Sequence, residues 1–283
     1  MLKGTAVKMF AELVRPYESY FEPLKQGIKK ARMDYTLNEY LSCLLLFSLF
    51  AFIISILLLN IIIPLLLPEE LIFAYTLAII LSFVISGMTF AFGNYYPSMV
   101  SAGLAGKIDR ALPFTASYMA TSASSGMNPV GIFRVVAMRG GAIGKEASKI
   151  YTNTTSLGMN LTDSIQNVAA RSPSEKWADL LYSMASVIKT GGSMEAFLRS
   201  RTKSLMSMYR RMLQDYAKQV TFYTEIYITL VIVGSLFFIV LTAIMSPLMG
   251  SGVLLLQTFL VFFMIPAVSA GFIVLLKGIS PNE

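Results

Sequence analysis

A chain of 283 residues that is 55% hydrophobic but only 14% charged falls well short of the roughly 25% charged residues of a soluble domain, which excludes a soluble single-core protein. It contains no histidine and one cysteine, Cys43, which excludes Ser-His-Asp catalysis, histidine-ligated metals, an internal disulfide and a thiolate cluster. Its 23 Lys and Arg exceed its 16 Asp and Glu, for a net charge of +7, and residues 40–68, 71–106 and 226–276 carry no charge at all.

Residues 1–40 are polar and contain no apolar core with a cleavage site, so no signal peptide is expected. Phe10, Leu13, Val14, Tyr17, Phe21, Leu24 and Ile28 recur there at helical spacing, with Pro16 and Pro23 as breaks. This predicts an amphipathic segment that lies on a membrane surface or packs on a domain. Lys25, Lys29, Lys30 and Arg32 follow. Thr36-Leu-Asn-Glu39 then matches a capping box at a helix start.

A bilayer core takes about 20 apolar residues per helix. Leu41–Ile63 and Leu71–Phe92 each suffice, and together they form a first hairpin (41–92) around a turn with Pro64, Pro68, Glu69 and Glu70. Cys43, inside the first apolar run, reads as a small hydrophobe. Ile226–Met245 and Val253–Leu276 form a second hairpin (226–276), turning through Pro247, Gly250 and Gly252. Seven basic residues precede residue 41, fifteen fall in 93–225 and one, Lys277, lies in the tail 277–283. The positive-inside rule therefore puts both termini and the large insert in the cytoplasm.

The insert, 93–225, reads as helical. Three units punctuate it: Gly126-Met127-Asn128-Pro129, Gly158-Met159-Asn160 and Gly191-Gly192-Ser193. A glycine can end a helix in the left-handed conformation, and Asn or Ser two residues on can cap the next. Six helices are expected, near 112–125, 129–139, 143–157, 161–171, 173–190 and from 194 onward. Ser172 would cap the fifth, and the last is free to run into the third span. The fold class is thus an all-α membrane protein with four transmembrane helices in two hairpins flanking a cytoplasmic six-helix bundle.

Chemistry is sparse. Gly140-Gly141-Ala142-Ile143-Gly144-Lys145-Glu146 fails as a phosphate loop, because Arg139 stands at the first glycine position and Glu146 at the magnesium hydroxyl position. It is expected to be a loop between helices, and no cofactor, metal or catalytic residue is expected. Arg199, Arg201, Lys203, Arg210, Arg211 and Lys218 make the helix before the third span basic. That surface suits anionic lipid or an acidic protein partner; nucleic acid is not expected, since no aromatic platform accompanies the charge. Asn60, Ser86, Gln257 and Ser269 are the polar membrane residues and Glu225 lies at a span end; these suit helix–helix bonding or a groove for a hydrophobic helix.

The layout resembles the F-type platform proteins of type II secretion and type IV pilus machines. The likeness covers about 90 residues, from Leu112-Pro113 to Ser200. It is carried by Ser125-Gly126-Met127-Asn128-Pro129-Val130 and by Lys189-Thr190-Gly191-Gly192-Ser193-Met194-Glu195-Ala196-Phe197. One copy of the domain with four spans is most similar to the tight-adherence pilus platforms and to archaeal pilus or archaellum platforms. The resemblance implies a non-enzymatic protein of the cytoplasmic membrane that couples a hexameric secretion ATPase to the movement of pilin-like subunits. A single copy further implies pairing with an identical or paralogous platform subunit. A permease driven by a separate ATPase is the alternative, disfavoured because the spans offer no charged pathway.

Overall fold

In a computed structural model, the described residues are 20–66, 71–249 and 251–279, with Val7, Met9, Phe10, Glu12, Val14 and Pro16. Leu13, Tyr17, the acidic turn with Pro68, Glu69 and Glu70, Gly250 and the last four residues lie outside them. Every regular element among the described residues is helical: α1 (Glu22–Lys30), α2 (Leu37–Leu66), α3 (Leu71–Ser124), α4 (Pro129–Met138), α5 (Gly141–Thr155), α6 (Leu161–Ala170), α7 (Glu175–Thr190), α8 (Met194–Tyr227), α9 (Gly234–Met249), α10 (Ser251–Phe259) and α11 (Ile265–Ile279). Two π-helical turns, Ile228–Val233 and Leu260–Met264, join α8 to α9 and α10 to α11. Four helical stretches are long and apolar enough to cross a membrane, and the chain is a multi-pass membrane protein. It divides into two compact units, Met1–Thr202 and Lys203–Glu283.

In the first unit α1 is entered through Pro23, which sits in the opening turn rather than breaking the helix. Leu24 and Ile28 of α1 are buried with Val14 and with Leu37, Leu41 and Leu44 at the head of α2. The amphipathic face is therefore packed on protein. The capping box forms: Glu39 N–H donates to Thr36 Oγ1 at 3.3 Å and Thr36 N–H donates to Glu39 Oε2 at 2.9 Å. At the other end of the hairpin Ala74 and Ala78 let α3 close on Ile63, and Phe52 meets Phe83 with ring centroids 4.9 Å apart.

The largest departure from expectation is α3. Its 54 residues run unbroken past Pro97 and Pro113, so the second span and the first helix of the bundle are one rod, roughly 80 Å long at 1.5 Å per residue. A proline removes the donor for the carbonyl four residues earlier. For Pro97 that carbonyl is Gly93, and Tyr40 of α2 donates its hydroxyl to Gly93 O at 2.6 Å. Gly93 also admits α2 closely, since a Cβ there would lie 1.9 Å from Leu44 Cδ1.

Beyond the span, α3 to α7 pack as the bundle. Ile108, Leu112, Ala116 and Met119 of α3 meet a core of Ile132 and Phe133 from α4, Ile143 and Ile150 from α5, Ile165 from α6 and Trp177, Leu181 and Met184 from α7, all buried. The residues recur three or four apart, so each helix buries one stripe. Gly144 lets α5 approach the carbonyl of Val136 at the end of α4, to 3.3 Å from a would-be Cβ.

Two polar contacts tie distant segments into this bundle. Glu146 of α5, its side chain only 3% exposed, pairs with Arg32, whose side chain is 20% exposed. Lys149 Nζ stands 3.7 Å from the same carboxylate. Arg32 adopts a left-handed φ of 57° to do so. Asp109 of α3 accepts a hydrogen bond from Ser174 Oγ, the hydroxyl that caps α7.

Tyr40→Phe is expected to leave Gly93 O bare and cost about 1–3 kcal/mol, read as a fall in Tm in detergent. On a Pro97→Ala background the alanine amide can reach that carbonyl, so the same change should cost little; equal losses in both backgrounds would refute the account. Arg32→Ala strands a buried carboxylate and should cost about 3–5 kcal/mol, whereas Arg32→Met with Glu146→Leu should recover most of it.

Candidate functional site

The three helix turns are built alike. Gly126, Gly158 and Gly191 have φ of 74°, 66° and 69°, a region in which an L side chain is strained. At Gly126 and Gly191 the chain leaves the helix through paired bonds: Met127 N–H to Ser122 O at 3.3 Å with Gly126 N–H to Ala123 O at 3.0 Å, and Gly192 N–H to Val187 O at 3.0 Å with Gly191 N–H to Ile188 O at 3.4 Å. These satisfy carbonyls that a helix end leaves open. The next helix is then capped by a side-chain oxygen. Asn128 Oδ1 accepts from Gly131 N–H at 2.7 Å, Asn160 Oδ1 from Thr162 N–H at 3.0 Å and Ser193 Oγ from Ala196 N–H at 3.2 Å.

At α7 the cap is Ser174, not Ser172. Ser174 Oγ accepts from Trp177 N–H at 3.0 Å, while Ser172 Oγ accepts from Ser174 N–H at 3.3 Å and so shapes the turn. The helix starts at Glu175, two residues later than the spacing suggests. At Gly140-Gly141, with φ of 72° and 71°, the turn is short and α5 begins at Gly141.

The basic residues of α8 fall in both units. In the first, Arg199 is exposed, pairs with Glu195 at 2.7 Å and reaches Ser124 Oγ at 3.5 Å, while Arg201 is half-buried. In the second, Lys203, Arg210, Arg211 and Lys218 are all exposed. Lys203 and Arg210 lie seven residues apart, as do Arg211 and Lys218, which sets two adjoining basic stripes on the helix. Lys218 approaches Asp215 at 4.0 Å and Arg211 donates to Ser207 Oγ at 3.2 Å. Exposed pairs of this kind contribute little to stability, so the charge stays available to a partner.

The polar membrane residues divide. Ser86 Oγ donates across the first hairpin to Ser48 O at 3.0 Å. In the second unit Ser269 Oγ hydrogen-bonds Tyr227 OH at 2.8 Å, beside a stacked Tyr227–Phe272 pair. Asn60 turns back on its own helix, donating to Ile56 O at 2.8 Å. Gln257 is half-buried and Glu225 is exposed.

The second unit also holds a feature that apolar periodicity hides. An apolar groove of about 280 Å³ is lined by Leu230, Val231, Gly234, Ser235 and Phe238 on one side and Leu260, Met264, Ile265 and Val268 on the other. Both π-helical turns supply its walls. One ends two residues before Pro266, whose ring and missing amide disturb the helical ladder; the other is followed by Gly234. Proline and glycine beside long apolar runs were the available sequence signal. Among the described residues no group of three His, Cys, Asp or Glu could hold a metal ion.

No curated protein and no solved structure matches the chain. Residues 115–245 match the family of type II secretion system (T2SS) protein F. The match starts in α3, takes in α4 to α8 with their three glycine turns, and ends in α9. The chain therefore carries a type II secretion system protein F domain, set between its apolar spans and running into the third.

Proposed function

We propose that the chain is the cytoplasmic-membrane platform of a type IV filament or type II secretion-like machine, coupling a hexameric cytoplasmic ATPase to the insertion or extraction of pilin-like subunits. The observation that carries this reading is the protein F match over the bundle and the following span. In this reading both termini and residues 93–225 face the cytoplasm, because all 23 basic residues lie outside the two hairpins and their turns. A single copy of the domain is completed by a second platform subunit, identical or paralogous.

Arg199, Arg201, Lys203, Arg210, Arg211 and Lys218 offer charge to an acidic face of the ATPase, with anionic lipid as the competing ligand. The apolar groove between the π-helical turns offers a hydrophobic pilin helix a seat within the membrane. Gln257 and Glu225 stand on the same unit and suit the polar residues of such a helix.

Two experiments test the reading. On a Cys43→Ala background, Ser156→Cys beside Gly158 should resist a membrane-impermeant thiol reagent in intact cells and react in inside-out vesicles; labelling from outside would overturn the topology. Arg210→Glu with Arg211→Glu should weaken capture of the ATPase encoded with this protein at least tenfold, about 1.4 kcal/mol. Undiminished capture, also with Arg199→Glu and Arg201→Glu, would remove the docking role of this helix.

A further inference from the structure

The charge-free run of the second span is longer than a hydrocarbon core requires. From Leu71 to Gly106 α3 carries no charge. At 1.5 Å per residue that run is roughly 54 Å long, against about 40–45 Å for a bilayer with its headgroups. A helix whose apolar run is this long accommodates by tilting, which brings its charged end, Lys107, to the headgroup level of the near leaflet. An anionic surface potential acts within about one screening length of that level.

Phe92, Tyr96, Val100, Gly103 and Lys107 follow one another at intervals of three or four residues, so they lie along one face of α3. Phe92, Tyr96, Gly103 and Lys107 are exposed and Val100 is half-buried. At the charged end of this stripe a cleft of about 660 Å³ opens. Val100 and Leu104 give it an apolar wall, and Arg32, Lys107 and Lys145 bring cations from three separate stretches of chain. Arg32 is neutralised by the buried Glu146. Lys107 and Lys145 are exposed and form no ion pair among the described residues. The cleft therefore presents two unbalanced positive charges beside an apolar wall.

We propose that this cleft docks the anionic headgroups of the membrane's own lipids. Charge complementarity selects the headgroup, and the exposed stripe from Phe92 to Lys107 makes the cleft continuous with the lipid-facing surface of the span. A soluble acidic protein would need the two lysines but not that apolar approach. The site differs from the basic stripes of α8, and it rests on membrane insertion alone, so it stands whether or not the platform reading does.

The test uses the full chain in nanodiscs of phosphatidylcholine with and without phosphatidylglycerol, and native mass spectrometry to count the lipid that stays bound. The wild-type chain should retain phosphatidylglycerol in preference to phosphatidylcholine. Lys107→Gln with Lys145→Gln should lower that retention roughly 30-fold, since each lysine near an anionic surface contributes about a fivefold preference. Lys107→Arg with Lys145→Arg should preserve it, and Lys189→Gln, an exposed lysine outside the cleft, should leave it unchanged. Equal retention of both lipids, or a double Gln variant that behaves as wild type, would overturn the proposal. So would displacement of phosphatidylglycerol by inorganic phosphate alone, which marks a free-anion site, or by a polyglutamate peptide, which marks a protein partner. All the substituted lysines are exposed, so the folded chain survives the comparison.

Discussion

A backbone carbonyl in apolar surroundings cannot go without a donor, and that constraint explains how α3 exists. Pro97 withdraws the amide that Gly93 O would normally receive, at the edge of an apolar span where water is a poor substitute. Tyr40 supplies the donor from the neighbouring helix. The helix need not unwind, and it continues to Ser124. The same bond sets the register of the first hairpin, because Tyr40 can serve only the carbonyl that proline has vacated. A span and a bundle helix thereby become one rod, and the bundle is built on an element already fixed in the membrane. Ahead of Pro266 the π-helical turn Leu260–Met264 ends two residues before the proline, and there the ladder shifts locally.

The Arg32–Glu146 pair places the N-terminal segment in this design. Burying a charge pair yields little net stability and can cost some, so its effect is on uniqueness. Without Arg32 the buried Glu146 keeps only Lys149, an exposed cation at 3.7 Å, and Arg32 comes from the segment that follows α1, whose Leu24 and Ile28 pack against the head of α2. One contact, spanning 114 positions of sequence, joins the pre-membrane segment to the bundle. Asp109 and Ser174 act similarly: a side chain on the rod holds the cap of α7, and burial of Trp177 follows from where α7 begins.

What could be read from the sequence was what is local. Charge-free blocks announce spans because a charge in hydrocarbon is costly. Gly126, Gly158 and Gly191 with Asn128, Asn160 and Ser193 announce turns because left-handed backbone and side-chain caps are properties of a few adjacent residues. Pro97 and Pro113 pointed the other way, since a proline usually ends a helix, and only the placement of Tyr40 shows why Pro97 does not. Ser172, with Pro173 after it, was the cap the sequence suggested; the structure uses Ser174, whose hydroxyl Asp109, 65 positions away, engages. The Arg32–Glu146 pair and the cationic cleft had no sequence signal, because each joins residues whose proximity is decided by packing. The π-helical turns left only Gly234 and Pro266 as traces.

The two units differ in a way that bears on the proposed role. The first has a dense core with large side chains fully buried, from Ile108 to Leu198, and its helices are anchored by polar contacts between distant segments. Such a body responds to force as a whole, because close-packed interiors transmit displacement rather than absorb it. The second has long apolar helices, a groove and two π-helical turns. A π-helical turn holds one more residue per loop of its ladder than the α-helix on either side, and reverting it to α shifts the following residues around and along the axis. Leu230 and Val231 in one turn and Leu260 and Met264 in the other face the groove, so its width depends on helical register. In the proposed role, a site that holds a hydrophobic helix and then releases it needs a shape that can change without exposing backbone to lipid. A shift between two fully hydrogen-bonded helical forms meets that requirement, and a break in the helix would not.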